Sequence, residues 1–190
     1  MIIDFSKKYL AELIETIHHL PLDAFEQATN TLLNAYEEKR QIFIFGNGGS
    51  GSTASHFVAD LNKGTSFGMR KRFRAICLND NIPTMLAYAN DKSYEDIFVE
   101  QLKNFMMPKD VLIAISGSGN SQNVIKAIKY GNQNTAESIA FTGLGGGELA
   151  KVAKISIIAP TNSMQRAEDI HLILTHMIMQ LCLKKIQGKW

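Results

Sequence analysis

The segment Ser116-Gly117-Ser118-Gly119-Asn120-Ser121 sets three hydroxyls within six positions, among glycines that let the backbone approach closely. That is a composition suited to wrapping the oxygens of one phosphate. A second glycine-rich stretch, Gly46-Asn47-Gly48-Gly49-Ser50-Gly51-Ser52-Thr53, lets backbone N–H groups converge where a helix starts. The partial positive charge of that helix terminus favours an anion. Each stretch has a plainer reading, a tight turn with Ser or Asn capping a helix, but two such stretches in one chain make capping alone a poor account. The titratable candidates fall into two groups. His56 and Asp60 are four apart and share a helix face, while Glu168, His171 and His176 lie on one C-terminal helix, with Glu168 and His176 eight apart and roughly cofacial. A histidine on an apolar helix is also a common core or interface residue.

The elements that must position these groups follow from periodicity. Apolar residues recur at helical spacing from Phe5 to Ile17 and from Leu22 to Tyr36, with Pro21 between them. Five short β-rich runs follow, Gln41 to Phe45, Phe73 to Leu78, Val111 to Ile115, Ser138 to Phe141 and Ile155 to Ala159, separated by helical patterns. Strands apolar throughout and alternating with helices predict parallel pairing with both faces covered. The fold class is therefore α/β: a doubly wound, five-stranded parallel sheet in a flavodoxin-like sandwich, preceded by N-terminal helices. Ligands of such sheets sit beyond the carboxyl ends of the strands where the winding reverses, which is where both loops fall. No linker or repeat interrupts the pattern, so residues 1–190 read as one domain. A third glycine cluster, Gly143 to Gly147, has no chemical partner in the sequence and reads as a structural turn.

Composition closes off other classes. The 190 residues are 45% hydrophobic and 20% charged with net charge +2, which suits a globular domain with a sizeable core. Leu172 to Leu183, the most apolar late stretch, is broken by Thr175, His176 and Gln180 and falls short of a membrane span, so no membrane association is expected. The N-terminus lacks a basic and then apolar leader, which predicts a cytoplasmic protein. Cys77 and Cys182 have no metal-type spacing and read as reduced, buried thiols. Arg70, Lys71, Arg72 and Arg74 form one short basic run without a docking motif, read as a solvated loop, and no nucleic acid partner is expected. GxxxxGK[ST] is absent, which counts against a P-loop nucleotidase, and no nucleotide cofactor is expected.

Taken in order, Gly46-Asn47-Gly48-Gly49-Ser50, His56-Phe57, Asn90-Asp91, Asp110-Val111-Leu112, Ile115 to Ser121 and Arg166 to His176 resemble the sugar isomerase (SIS) domain family, and within it the phosphoheptose isomerase branch. The resemblance implies an aldose–ketose isomerase acting on sedoheptulose 7-phosphate to give a heptose 7-phosphate, such as D-glycero-D-manno-heptose 7-phosphate, for surface-glycan precursors. It implies Asp60 and His176 as the acid/base pair, with Glu168 as a further catalytic candidate. The phosphosugar is expected on Asn47, Gly48, Gly49, Ser50, Asp91, Ser116, Gly117, Ser118, Ser121 and Glu168. Asn47 and Asp91 serve sugar hydroxyls or brace loops, and Asp91 reads equally as the cap of a helix starting near Ser93. Some members bind zinc, one per subunit, and the corresponding positions are His56, Asp60, Glu168 and His176. Members form homotetramers with sites at subunit junctions, so residues 1–40, the N-terminal helical pair, are expected in assembly.

Three departures stand out. The family carries Glu where this chain has Asp60 and Gln where it has Glu168, and the arginine common shortly after the acid is missing, with Lys63 and Gly64 in that stretch. A carboxylate one methylene shorter reaches about 1.5 Å less, and a misplacement of about 1 Å can slow a reaction on the order of 100-fold. Glu168 can supply either an added metal ligand or the base that Asp60 reaches poorly. The competing class is a non-enzymatic SIS protein that binds a replication initiator or other protein, against which stand the retained carboxylate at position 60 and His176. A phosphosugar-sensing regulator is disfavoured by the lack of a DNA-binding segment.

Overall fold

The computed structural model describes residues 1–189. Helices α1 (Ile2–His18) and α2 (Leu22–Glu38) lead into β1 (Gln41–Gly46) and α3 (Gly48–Ala59), whose last turn widens into a π-type turn over Asp60–Gly64. The chain continues through β2 (Arg74–Cys77), α4 (Ile82–Asp91), a single 3₁₀ turn at Tyr94–Asp96, α5 (Val99–Phe105), β3 (Val111–Ser116) and α6 (Gln122–Gln133). It closes with β4 (Glu137–Thr142), α7 (Gly147–Val152), β5 (Ile155–Ile158) and the long α8 (Met164–Ile186). The expected sequence of elements is thus present, with strand ends moved by a residue or so.

All four strand pairings are parallel and the sheet order is β2-β1-β3-β4-β5. The winding reverses between β1 and β3, so a crevice opens where their carboxyl ends diverge. Alternation along β1 shows how both faces are covered. Ile42 and Ile44 enter one apolar cluster with Leu32 of α2, Phe57 of α3 and Leu174 of α8. Phe43 and Phe45 enter the other, with Leu102 of α5, Ile128 of α6 and Leu149 of α7. Burying β1 and β3 on both faces is what makes their sequences continuous apolar runs. Helix α2 belongs to the core, whereas α1 buries only Thr16 and leaves Ile2, Ile3, Phe5, Leu10 and Ile14 exposed. Among the described residues, no helix is long and apolar enough to cross a membrane.

Candidate active site

The first loop is fixed at its root by an amide. Asn79, just past β2, accepts from the Gly46 N–H (3.2 Å) and donates to the Gly46 carbonyl (2.7 Å), extending the ladder by one side chain. The chain then turns through Gly48, at φ +51°, into α3, with Ser50 buried in the first turn. Asn47 is the N-cap residue of α3, yet its side chain makes no cap bond. Ser52 and Thr53 are inside the helix, where Thr53 Oγ1 returns to the Gly49 carbonyl (3.2 Å), so neither caps it.

The second loop repeats this arrangement. Ser121 is the N-cap of α6 and also makes no side-chain cap bond; its Oγ lies 3.3 Å from Ser116 Oγ. Ser118 Oγ accepts from the Asn120 N–H (3.2 Å). Gly117 lies beneath Met164, and Gly143 of the third cluster donates to its carbonyl (3.0 Å). The Leu149 N–H reaches the Gly119 carbonyl (2.8 Å), and the Glu148 N–H reaches Asn120 Oδ1 (3.1 Å). Gly119, at φ +65°, has no room for a side chain, since a Cβ there would sit 2.0 Å from the Gly146 carbonyl oxygen. Gly143 to Gly147 is therefore a structural turn with a specific duty, bracing the serine loop from behind.

Farther along α3, His56 and Asp60 face His176 of α8. The two Nε2 atoms are 3.0 Å apart, and Asp60 Oδ2 lies 3.4 Å from His56 Nε2 and 3.9 Å from His176 Nε2. Asp60 Oδ2 is buried and has no hydrogen-bond donor of its own. Ligand atoms of a tetrahedral zinc with Zn–N near 2.0–2.1 Å stand about 3.3 Å apart, so this donor set and its orphaned oxygen fit such an ion, with three protein ligands and an open position. Glu168 is not part of this cluster. Eight residues advance α8 by about 12 Å, and the Glu168 carboxylate instead lies beside Gly49, its Oε1 3.5 Å from where a Cβ would stand. Three of the four expected metal positions come together; the fourth, Glu168, lies against the glycine loop.

Other expected residues are placed as follows. Asp91 is the last residue of α4 and accepts from Asn90 (2.8 Å); the cap near it is Ser93, which takes the Glu95 N–H (2.9 Å), so the capping reading of Asp91 is corrected. His171 is buried against Phe141 with both ring nitrogens unpartnered, and burial lowers its pKa. Burial pushes the Cys77 and Cys182 thiols up to about 12, which leaves neither as a nucleophile. The basic run leads into β2 as a surface segment, where Lys71 pairs with Glu37 and lies over the Tyr36 ring. Sequence reasoning missed Asn79, Tyr94 and Asn123, which hold the first loop; runs of Asn beside glycine loops were the only signal.

A sheet of order 2-1-3-4-5, two anion-adapted loops at its switch point and a His–Asp–His cluster beside them define a domain of the SIS class. The sequence model of the SIS domain matches residues 7–143. A phosphoheptose isomerase of Helicobacter pylori is 35% identical over 156 residues, 82% of this chain and 81% of the relative. One of Aquifex aeolicus is 37% identical over 150 residues, 79% and 78% of the two chains. The solved structure of a phosphoheptose isomerase from Francisella tularensis superimposes with TM-score 0.89 at 26% identity, covering 97% of this chain and 99% of that one. The chain belongs to the SIS domain family and, within it, to the phosphoheptose isomerases.

Proposed function

We propose that this protein interconverts sedoheptulose 7-phosphate and D-glycero-D-manno-heptose 7-phosphate through an enediolate, supplying surface-glycan precursors in the cytoplasm. The observation that carries the reading is the unpartnered Asp60 Oδ2 between two imidazoles, on the same helix whose N-terminus forms the glycine loop. His56 lies six residues beyond Ser50, about 9 Å along α3. That separation suits a seven-carbon chain with its phosphate at one end and its reacting carbons at the other. The terminal phosphate is held by Ser50, Ser116, Ser118 and Ser121, and by the Gly48, Gly49 and Gly117 backbone. Asn47 and Asp91 take sugar hydroxyls. Binding the phosphate orients carbons that it never touches.

In the ketose-to-aldose direction, Asp60 Oδ1 removes a proton from C1 while Oδ2 stays toward the histidines. His176 protonates the C2 oxygen and takes the proton of the C1 hydroxyl. The carboxyl group then returns its proton to C2, so no proton is gained or lost overall. Glu168, beside Gly49, faces the middle of the sugar. Zinc, where held by His56, Asp60 and His176, would polarise the substrate oxygens in place of proton transfer by His176. A protein-binding, non-catalytic role gives no reason for this pairing of carboxylate and imidazoles, and the named relatives are isomerases. The exposed apolar residues of α1 support assembly into a homotetramer, which light scattering would check.

The test is to follow aldose formation from sedoheptulose 7-phosphate by NMR, with zinc or a chelator. Asp60→Asn and His176→Ala should each lower kcat by on the order of 10²–10⁴-fold, while Glu168→Gln, which restores the family residue, should retain most of it. The reading is overturned if the wild type turns over no ketose phosphate or if His176→Ala matches it. Metal analysis after zinc loading decides the zinc assignment separately.

A further inference from the structure

Asn123, the second residue of α6, is 2% exposed. Its Oδ1 accepts from the Val124 N–H (3.0 Å), which establishes which end of the amide is oxygen. That orientation in turn dictates the orientation of Asn47. Asn123 Oδ1 accepts from Asn47 Nδ2 (2.9 Å), and Asn123 Nδ2 donates to Asn47 Oδ1 (2.8 Å), a reciprocal amide pair. Tyr94 OH donates to the same Asn47 oxygen (3.1 Å). A carbonyl oxygen has two lone pairs, so Asn47 Oδ1 has no acceptor capacity left.

Asn47 has the extended backbone of an ordinary N-cap, φ −101° and ψ 150°, and Asn is among the strongest capping residues. Left to itself, its oxygen would take the N–H of Gly49 or Ser50. We propose that Asn123 is a positioning residue: together with Tyr94 it holds the Asn47 amide off the end of α3, leaving the first-turn N–H groups and one N–H of Asn47 as donors for substrate oxygens. The first turn of α3 then keeps its N–H groups as donors, the polarity that a phosphate or a sugar oxygen needs. The proposal rests on the phosphosugar reading for its ligand, though its structural half does not.

The experiment has two readouts on Asn123→Ala and Asn123→Asp; the aspartate keeps the acceptor for Val124 and loses the donor to Asn47, and serves if the alanine variant does not fold. The first is amide hydrogen exchange. Freed from Asn123, Asn47 should fall back onto α3 and slow the exchange of the Gly49 or Ser50 amide at least several-fold; unchanged exchange overturns the proposal whatever the substrate. The second is kinetic. KM for sedoheptulose 7-phosphate should rise about tenfold in Asn123→Ala with a smaller change in kcat. Adding Asn47→Ala should raise it no further, because both substitutions remove one device. KM values within twofold of wild type, or effects that multiply, overturn the positioning role while wild-type turnover keeps the isomerase reading standing. A wild type that turns over no phosphosugar sinks that reading alone, and the exchange data still decide the rest.

Discussion

Among the described residues, four α-helices begin with an Asn or Ser that caps well, and two of the four use it. At α4 and α8, Asn81 Oδ1 takes the Thr84 N–H (3.2 Å) and Ser163 Oγ takes the Arg166 N–H (3.5 Å). At α3 and α6, which start where the sheet reverses its winding, Asn47 and Ser121 make no cap bond and turn instead to Asn123 and Ser116. An unfilled cap is worth roughly 1 kcal/mol, and under the proposed function that stability is given up so that a ligand can supply the missing acceptors. The amino acid at the N-cap therefore does not tell a structural helix start from a binding one. The direction of its side chain does.

The sharpest way to break this comparison is to force a cap where none is used. Asn47→Asp places an acceptor and a negative charge at the start of α3. It should lower kcat/KM for the phosphosugar on the order of 100-fold, as removal of a preorganised donor does, without lowering Tm. A loss of Tm with little loss of activity would show that Asn47 is structural. Next in size, Ser116→Ala and Ser121→Ala each remove a hydroxyl from the proposed phosphate loop. Hydrogen bonds to charged groups are worth about 1.5–3 kcal/mol, so each should raise KM by about tenfold or more in steady-state assays.

A second contrast concerns polar groups left without partners. Asp60 Oδ2 is unpartnered beside His56 and His176, where the proposed reaction uses it, and His171 is unpartnered in the core. Burial lowers the His171 pKa below its ordinary 6.5, so the unfolded chain binds more protons there than the folded one. Stability attributable to this site is intact above pH 6.5, is lost as pH falls from there, and levels off below the depressed value, with a slope of at most about 1.4 kcal/mol per pH unit. Denaturant titrations should show that slope, and His171→Phe should flatten it. An unchanged slope would assign the acid loss elsewhere.

The fold was readable because β1 and β3 are buried on both faces and so spell themselves out as apolar runs, and because Pro21 and the glycine clusters punctuate the helices. Among the site residues, His56 with Asp60 was legible from a four-residue helical spacing that guarantees proximity. Glu168 with His176 was not: an eight-residue spacing keeps side chains roughly on one face yet leaves them far apart along the axis, and the structure gives the two carboxylates different neighbours. Asn79, Tyr94 and Asn123 were invisible for another reason. Their partners lie 33, 47 and 76 positions away, and neutral side chains carry no spacing signature of their own. The same holds for Gly143 to Gly147, whose duty exists only once β4 has been laid beside β3.

The smallest effects belong to the two caps that are used. Asn81→Ala and Ser163→Ala each return one first-turn N–H to water, and a lost cap of this kind is worth about 1 kcal/mol. In a chain of this length that corresponds to about 2–4 °C in Tm. Helix α4 buries none of its residues, so for Asn81 the loss should stay local and kcat/KM should remain at the wild-type value. Ser163 starts the helix that carries His176 and Glu168, so the same loss of stability there should bring fraying of the first turn of α8, seen as faster amide exchange at Arg166. Calorimetry and exchange together decide the matter. If Asn81→Ala costs activity and not stability, the division between caps used for folding and caps withheld for the ligand is wrong.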